Sequence, residues 1–190
     1  MSWRWAKIPK IQKSNRLKDY DYSQNGAYFV TICTKNREPL LSQIVGGGFH
    51  AAPQIELSRI GLEIDNAIHF YSHKYENIFI DKYVIMPNHI HLIMMINSGT
   101  FLGGHGNPPL QNTAKSSDKP LSEDLPLHSI IGQLKSFTTK QFNLLNNTQY
   151  HILWQRSYHD HIIRHEAEYQ QIWRYIDENP LKWQQDCYYC

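Results

Sequence analysis

The stretch Tyr83-Val84-Ile85-Met86-Pro87-Asn88-His89-Ile90-His91-Leu92-Ile93-Met94-Met95-Ile96 decides how the rest of the chain is read. Two apolar runs flank the break Met86-Pro87-Asn88. Proline fixes φ and asparagine tolerates unusual backbone angles, so the break reads as a tight connection between two strands. In the second strand His89 and His91 are two residues apart and share one face. Ile90, Leu92, Met94 and Ile96 take the other. Imidazole is a common metal ligand. Two imidazoles on one side and aliphatics on the other read either as a metal shelf on a core sheet or as a histidine pair on a solvated face. His-x-His by itself is a weak motif and leaves both open.

Working outward, residues 27–34 (Ala-Tyr-Phe-Val-Thr-Ile-Cys-Thr) are β-branched and aromatic, the composition of a strand. Gly46-Gly47-Gly48 falls in a loop or hairpin tip. Over residues 55–75 the period turns helical, with Ile60, Ile64, Ala67, Ile68 and Tyr71 as one stripe and Ser58 as a candidate cap. His69 and His73 read as surface histidines of that helix. The first strand of the opening stretch begins near Ile78. Residues 98–126 are rich in Gly, Pro, Ser and Asn, cannot bury enough apolar surface to offset their ordering entropy, and are expected to form a long mobile loop. A helix over residues 127–145 should bury Leu127, Ile130, Ile131, Leu134, Phe137 and Phe142, with Lys135 and Lys140 off that stripe. Residues 152–154 and 158–163 read as strand. A last helix over residues 166–179, with Tyr169, Ile172 and Ile176 inward, stops at Pro180.

The order strand, helix, strand, strand, helix, strand, helix predicts an α+β fold. It is the ferredoxin-like β-α-β-β-α-β arrangement: an antiparallel sheet with two helices on one face and a C-terminal helix added. At 190 residues and 41% hydrophobic, one domain with a sizeable core is expected. Residues 1–25 form a basic, aromatic arm, residues 26–183 the domain, and residues 184–190 a tail. The net charge of +2 does not announce a polyanion partner, but its distribution says more. Arg4, Lys7, Lys10, Lys13, Arg16 and Lys18 all precede the first acidic residue, Asp19. Such an arm either contacts nucleic acid or is a solvated terminus. There are three cysteines. Cys33 lies in a strand and should be buried. Cys187 and Cys190 have no second pair to complete a structural zinc site, and the odd count fits a reducing compartment. No signal peptide opens the chain and no run approaches the ~18 apolar residues of a membrane helix. A soluble cytoplasmic protein is expected.

Two histidines leave a divalent metal short of ligands. Tyr175 and Asn179 are i, i+4 on the last helix and share its inward face. An asparagine there can supply a ligand oxygen, and a tyrosine can supply an oxygen nucleophile. The alternative is a core aromatic with its hydroxyl at the rim. His159-Asp160-His161, with His165 nearby, repeats the histidine spacing as a less suitable second shelf. Asp160 and Arg164 would share a face and either pair or meet a phosphate.

Four segments, in order, resemble one family: Gly26-Ala27-Tyr28-Phe29-Val30-Thr31-Ile32-Cys33-Thr34-Lys35-Asn36-Arg37; Met86-Pro87-Asn88-His89-Ile90-His91-Leu92-Ile93; Trp154-Gln155-Arg156-Ser157-Tyr158-His159-Asp160-His161-Ile162-Ile163-Arg164; and Tyr175-Ile176-Asp177-Glu178-Asn179-Pro180. They look like the single-tyrosine transposases of the His-hydrophobic-His (HUH) class, closest to the REP-associated branch. The likeness runs over residues 17–183 and leaves out the 98–126 loop and the C-terminal Cys-Tyr-Tyr-Cys. It implies a metal-dependent endonuclease and strand transferase acting at hairpins of single-stranded DNA. His89, His91 and Asn179 would hold Mg²⁺ or Mn²⁺, and Tyr175 would form a covalent 5′-phosphotyrosine. Relatives act as monomers or as homodimers, with the tyrosine helix working within one subunit or across two. Arg4, Arg16, Lys18, Lys135, Lys140, Arg156 and Arg164 are candidate phosphate contacts, with aromatics such as Trp3, Trp5 and Tyr22 for base stacking. Two rival readings are a domesticated hairpin-binding protein that does no transposition and a metal-dependent nuclease in which water attacks.

Overall fold

The computed structural model describes residues 21, 24–46, 52–97 and 125–189. Arg4, Arg16, Lys18, Trp3, Trp5, Tyr22, Cys190 and residues 98–124 of the expected loop lie outside the described residues. The elements in chain order are β1 (Gly26–Cys33), a short 3-10 turn (Lys35–Arg37), β2 (Ser42–Val45), β3 (Gln54–Leu57) and α1 (Arg59–Lys74). Then come β4 (Ile78–Ile85), β5 (His89–Ile96), α2 (Leu127–Leu145), β6 (His159–Ile163), α3 (Glu166–Glu178) and a 3-10 segment (Asn179–Gln185).

The fold is α+β, built on a four-stranded sheet in the order β4-β5-β1-β6. Every neighbouring pair in it is antiparallel. The expected break in the opening stretch is the β4–β5 turn, closed by a bond from Met86 N to His89 O at 2.9 Å. The β5 register against β1 sets Thr31 opposite His91 and Cys33 opposite His89. A register shift between Ile80 and Lys82 marks a bulge in β4. Ile78 and Ile80 face one way before it, and Val84 packs on the opposite side after it.

The sheet carries two separate cores. On one face Tyr28, Val30, Ile32, Ile90, Leu92 and Met94 pack against α1 and α2. The stripe of α1 is as expected: Ile60, Ile64, Ala67, Ile68 and Tyr71 are all buried. Ser58 caps that helix, its Oγ accepting from Gly61 N at 3.1 Å. On the other face Ala27, Val84, Met86, Ile93 and Ile163 pack against Tyr169 and Ile176 of α3. So α1 and α2 share one face, while α3 covers the face that carries the histidines.

Three expectations need correction. Residues 54–57 are not the start of the first helix but the second strand of a small hairpin with β2. Leu41 O lies where a Cβ on Gly61 would sit, 2.1 Å away, so glycine lets this segment lie directly on the helix. Residues 152–154 make only an isolated bridge, Thr34 to Trp154. Phe137 is 40% exposed, and Thr138 takes its inward place. Thr138 lies one turn beyond Leu134, where its Oγ1 accepts from Trp154 Nε1 at 2.9 Å. No helix among the described residues is long and apolar enough to cross a membrane.

Candidate functional site

His89 and His91 are 0% and 1% exposed, as deeply buried as the aliphatic residues around them. Each ring is held through Nδ1. Asn88 donates from Nδ2 to the carbonyls of Arg37 (3.2 Å) and Tyr188 (2.9 Å), so its Oδ1 faces His89 Nδ1 at 2.9 Å. An acceptor at that point puts the His89 proton on Nδ1. His91 Nδ1 lies 2.8 Å from Thr31 Oγ1. The Thr31 hydroxyl oxygen is able to accept from a protonated His91 Nδ1. The two Nε2 atoms are 3.0 Å apart, and with Nδ1 protonated on both rings their lone pairs turn toward each other. Two lone pairs at that distance repel unless a proton or a cation lies between them. Burial works against the proton: desolvation, then the Arg37 charge, pushes His89 down to about 3. Desolvation also holds His91 well below its ordinary value, His89 adds to this, and Asp186 opposes it. Both imidazoles are neutral and able to act as ligands near pH 7.

Helix α3 is anchored above this pair. His165 caps it, accepting from Glu168 N at 3.2 Å. Tyr169 donates from its hydroxyl to Asp81 at the β4 bulge. Lys82 Nζ bonds Asp177 at 2.7 Å and lies 3.8 Å from the centre of a Trp173 ring. The helix so held brings Tyr175 Oη to 3.2 Å from His91 Nε2, within one chain. Phe29 meets the Tyr175 ring edge-on at 6.1 Å. Burial, then the nearby Asp186 carboxylate, raises the Tyr175 pKa, so the phenol is neutral here. Asn179, 3% exposed, donates from Nδ2 to Asp186 Oδ2 at 2.7 Å. Its Oδ1 is buried without a hydrogen-bond partner among the described residues. A buried orphan acceptor costs free energy unless something meets it.

Asp186 is the residue that sequence reasoning missed. Its Oδ2 is 3.3 Å from Tyr175 Oη, and its Oδ1 accepts from Tyr188 N at 2.7 Å. His89, His91 and Asp186 each offer a donor atom, all within 4.8 Å of one another, and so form a group that could hold a metal ion. The tail that carries Asp186 is packed into the site. Tyr188, 5% exposed, lays its ring 4.6 Å from that of His89. Arg37 Nη1 donates to Cys187 O at 3.1 Å, and the Arg37 guanidinium lies 5.2 Å from the Tyr188 ring centre. No periodicity links Asp186 to α3. Only the 3-10 segment after Pro180 turns it back.

Other candidates are placed elsewhere. His159 and His161 lie on the same sheet face as the central pair, opposite Thr31 and Phe29. Glu168 takes His161 Nε2 at 2.7 Å. β6 ends at Ile163, so strand alternation does not pair Arg164 with Asp160. Lys135 donates to the carbonyls of Gln155 (2.7 Å) and Arg156 (3.0 Å), which ties α2 to the segment before β6. Lys140, Arg156 and Arg164 are exposed. Cys33 is buried, and desolvation pushes its thiol up to about 11.

No family model matches the chain. Solved structures similar to it include the following two. One is a REP-associated tyrosine transposase bound to a REP hairpin, at 18% identity and a TM-score of 0.49, over 89% of this chain and 74% of that one. The other is a candidate transposase from Deinococcus radiodurans R1, at 15% identity and a TM-score of 0.44, over 87% and 97%. In sequence, an uncharacterized protein of Haemophilus influenzae is 36% identical over 179 residues, which are 94% of this chain and 93% of that protein. With such identity along nearly the whole of both, the chain belongs to one family with the Haemophilus influenzae protein.

Proposed function

We propose that this protein is a metal-dependent single-stranded DNA endonuclease and strand transferase that works at DNA hairpins through a covalent 5′-phosphotyrosine. The observation that carries the reading is the Tyr175 hydroxyl, 3.2 Å from His91 Nε2 in a buried site. The four sequence segments in the order of the single-tyrosine transposases support it. We read the strand order β4-β5-β1-β6 as the ferredoxin-like split arrangement, with α3 as the added helix that carries the nucleophile.

His89, His91 and Asn179 would hold Mg²⁺ or Mn²⁺. Both Nε2 atoms, 3.0 Å apart, would serve as its nitrogen ligands. Asn179, whose Nδ2 bonds Asp186 of that group, would offer its Oδ1 as a further oxygen donor. When bound, the ion would neutralise charge on a non-bridging phosphate oxygen and orient the phosphate.

The rest falls to the chain's own side chains. Tyr175 Oη attacks phosphorus. The Oη–P bond forms, the P–O3′ bond breaks, the phenol proton is released, and the 3′ oxygen leaves as a hydroxyl. The phosphoester is conserved, so rejoining to another 3′-hydroxyl needs no nucleotide cofactor. Packing of Tyr175 against Phe29 and His91 fixes its direction of attack. Lys140, Arg156 and Arg164, all exposed, would meet DNA phosphates. Arg4, Arg16 and Lys18 would add to them, while Lys135 would act through the segment it holds.

The test uses hairpin oligonucleotides labelled at the 5′ or the 3′ end, incubated with protein and Mn²⁺. Wild type should yield an upstream fragment ending in a free 3′-hydroxyl and a downstream fragment joined to the protein through its 5′ phosphate, and Tyr175→Phe neither. Equal cleavage by both proteins, with free 5′-phosphate ends, would assign the attack to water. Hairpin binding without cleavage under every condition would leave a binding protein.

A further inference from the structure

On the reading that the histidine pair holds a metal ion, we propose that Asp186 is its anionic ligand, so that residues 186–188 belong to the active site rather than to an appended tail. Two imidazoles and one amide are all neutral. A hard divalent ion such as Mg²⁺ is held in proteins through one or two carboxylates, and His89, His91 and Asn179 provide none. Asp186 supplies that charge at the right place: its carboxylate lies within 4.8 Å of the donor nitrogens of both histidines.

The carboxylate is built in, not swept in from solvent. Asp186 Oδ1 is fixed by Tyr188 N at 2.7 Å, and the Asp186 N–H is bonded to Trp183 O at 3.1 Å. Tyr188 and the Asn88 side chain bind the next turn of chain to the wall behind His89. Asp186 Oδ2 also accepts from Asn179 Nδ2 at 2.7 Å. That bond decides which end of the Asn179 amide is free. With Nδ2 engaged, Oδ1 is the end left without a partner, buried and able to meet a cation. One carboxylate therefore does two things. It brings a negative oxygen to the site, and it turns the second oxygen donor the right way round. Tyr175 Oη sits between His91 Nε2 (3.2 Å) and Asp186 Oδ2 (3.3 Å), so the nucleophile is framed by two of the proposed ligands.

The experiment measures Mn²⁺ binding to the full-length protein by titration calorimetry and by the electron paramagnetic resonance signal of free Mn²⁺, with no DNA present. The variants are Asp186→Asn, which keeps the shape and removes the charge, Asp186→Ala, and His91→Ala as the reference loss. Circular dichroism and thermal melting in chelator check that each folds. The expected result is a Kd for Mn²⁺ raised about tenfold or more in both Asp186 variants, comparable with losses seen when metal-site partners are removed. Should both Asp186 variants bind as wild type does while His91→Ala loses binding, Asp186 is not a ligand and the metal reading survives without it. Should wild type itself bind no Mn²⁺, the metal reading falls and Asp186 with it. An unfolded Asp186→Ala beside a folded Asp186→Asn leaves the asparagine variant to decide.

Discussion

Along β5 the side chains alternate between two environments that are equally dry but chemically opposed. Ile90, Leu92 and Met94 are fully buried against α1 and α2, with nothing polar to satisfy. One residue over, His89 and His91 are just as buried, and every ring nitrogen has an assigned neighbour. The first face is held by area removed from water, at about 25 cal/mol per Å² of apolar surface. The second tolerates buried polar atoms because Asn88 partners His89, Thr31 partners His91, and Asn179 bonds Asp186 beside them. The apolar face should therefore govern stability, and the histidine face activity.

The sharpest break in that division comes from neighbours on β5. His91→Ala should abolish Mn²⁺-dependent hairpin cleavage, a drop of about a thousandfold or more in rate, measured at a temperature where the variant, read in chelator, is still folded. A variant that still cleaves would dissolve the distinction. Leu92→Ala should do the reverse, costing about 2–5 kcal/mol by opening a cavity in the larger core. Urea denaturation measures it, and cleavage at low temperature should persist. The next effect is on pH. His89 is held at about 3 in the fold against an ordinary 6.5. Between those values the unfolded chain takes up a proton that the fold refuses, so stability is full above 6.5 and is lost as pH falls toward 3. In chelator, His89→Gln should flatten that part of the stability profile; an unchanged slope would show that another group titrates there. The smallest effect is at the edge of the apolar side. Ser58→Ala removes the α1 cap and should cost about 1 kcal/mol, read as a lower urea midpoint with cleavage at saturating DNA unchanged.

Much of this arrangement is written in short-range pattern. The α1 stripe, the α2 boundaries, the β4–β5 turn and the shared face of His89 and His91 all follow from period 3.6, period 2 and turn chemistry. The pattern misleads where neighbours in space overrule it. The helical reading of residues 55–57 gives way because β2 is there to pair with them. Phe137 yields its inward place to Thr138 because Trp154 needs an acceptor.

The site divides in the same way. Local spacing alone put His89 beside His91 and Tyr175 beside Asn179, because side chains two apart on a strand or four apart on a helix must share a face. Which face of the sheet α3 would cover, and that Tyr175 meets His91 of its own chain, depends on packing between residues 84 positions apart. Asp186 belongs wholly to the tertiary structure. Nothing in the pattern of residues 184–190 marks one aspartate. Its role comes from a 3-10 turn after Pro180 that returns the chain to the histidines, and from the Tyr188 and Asn88 contacts that hold it there.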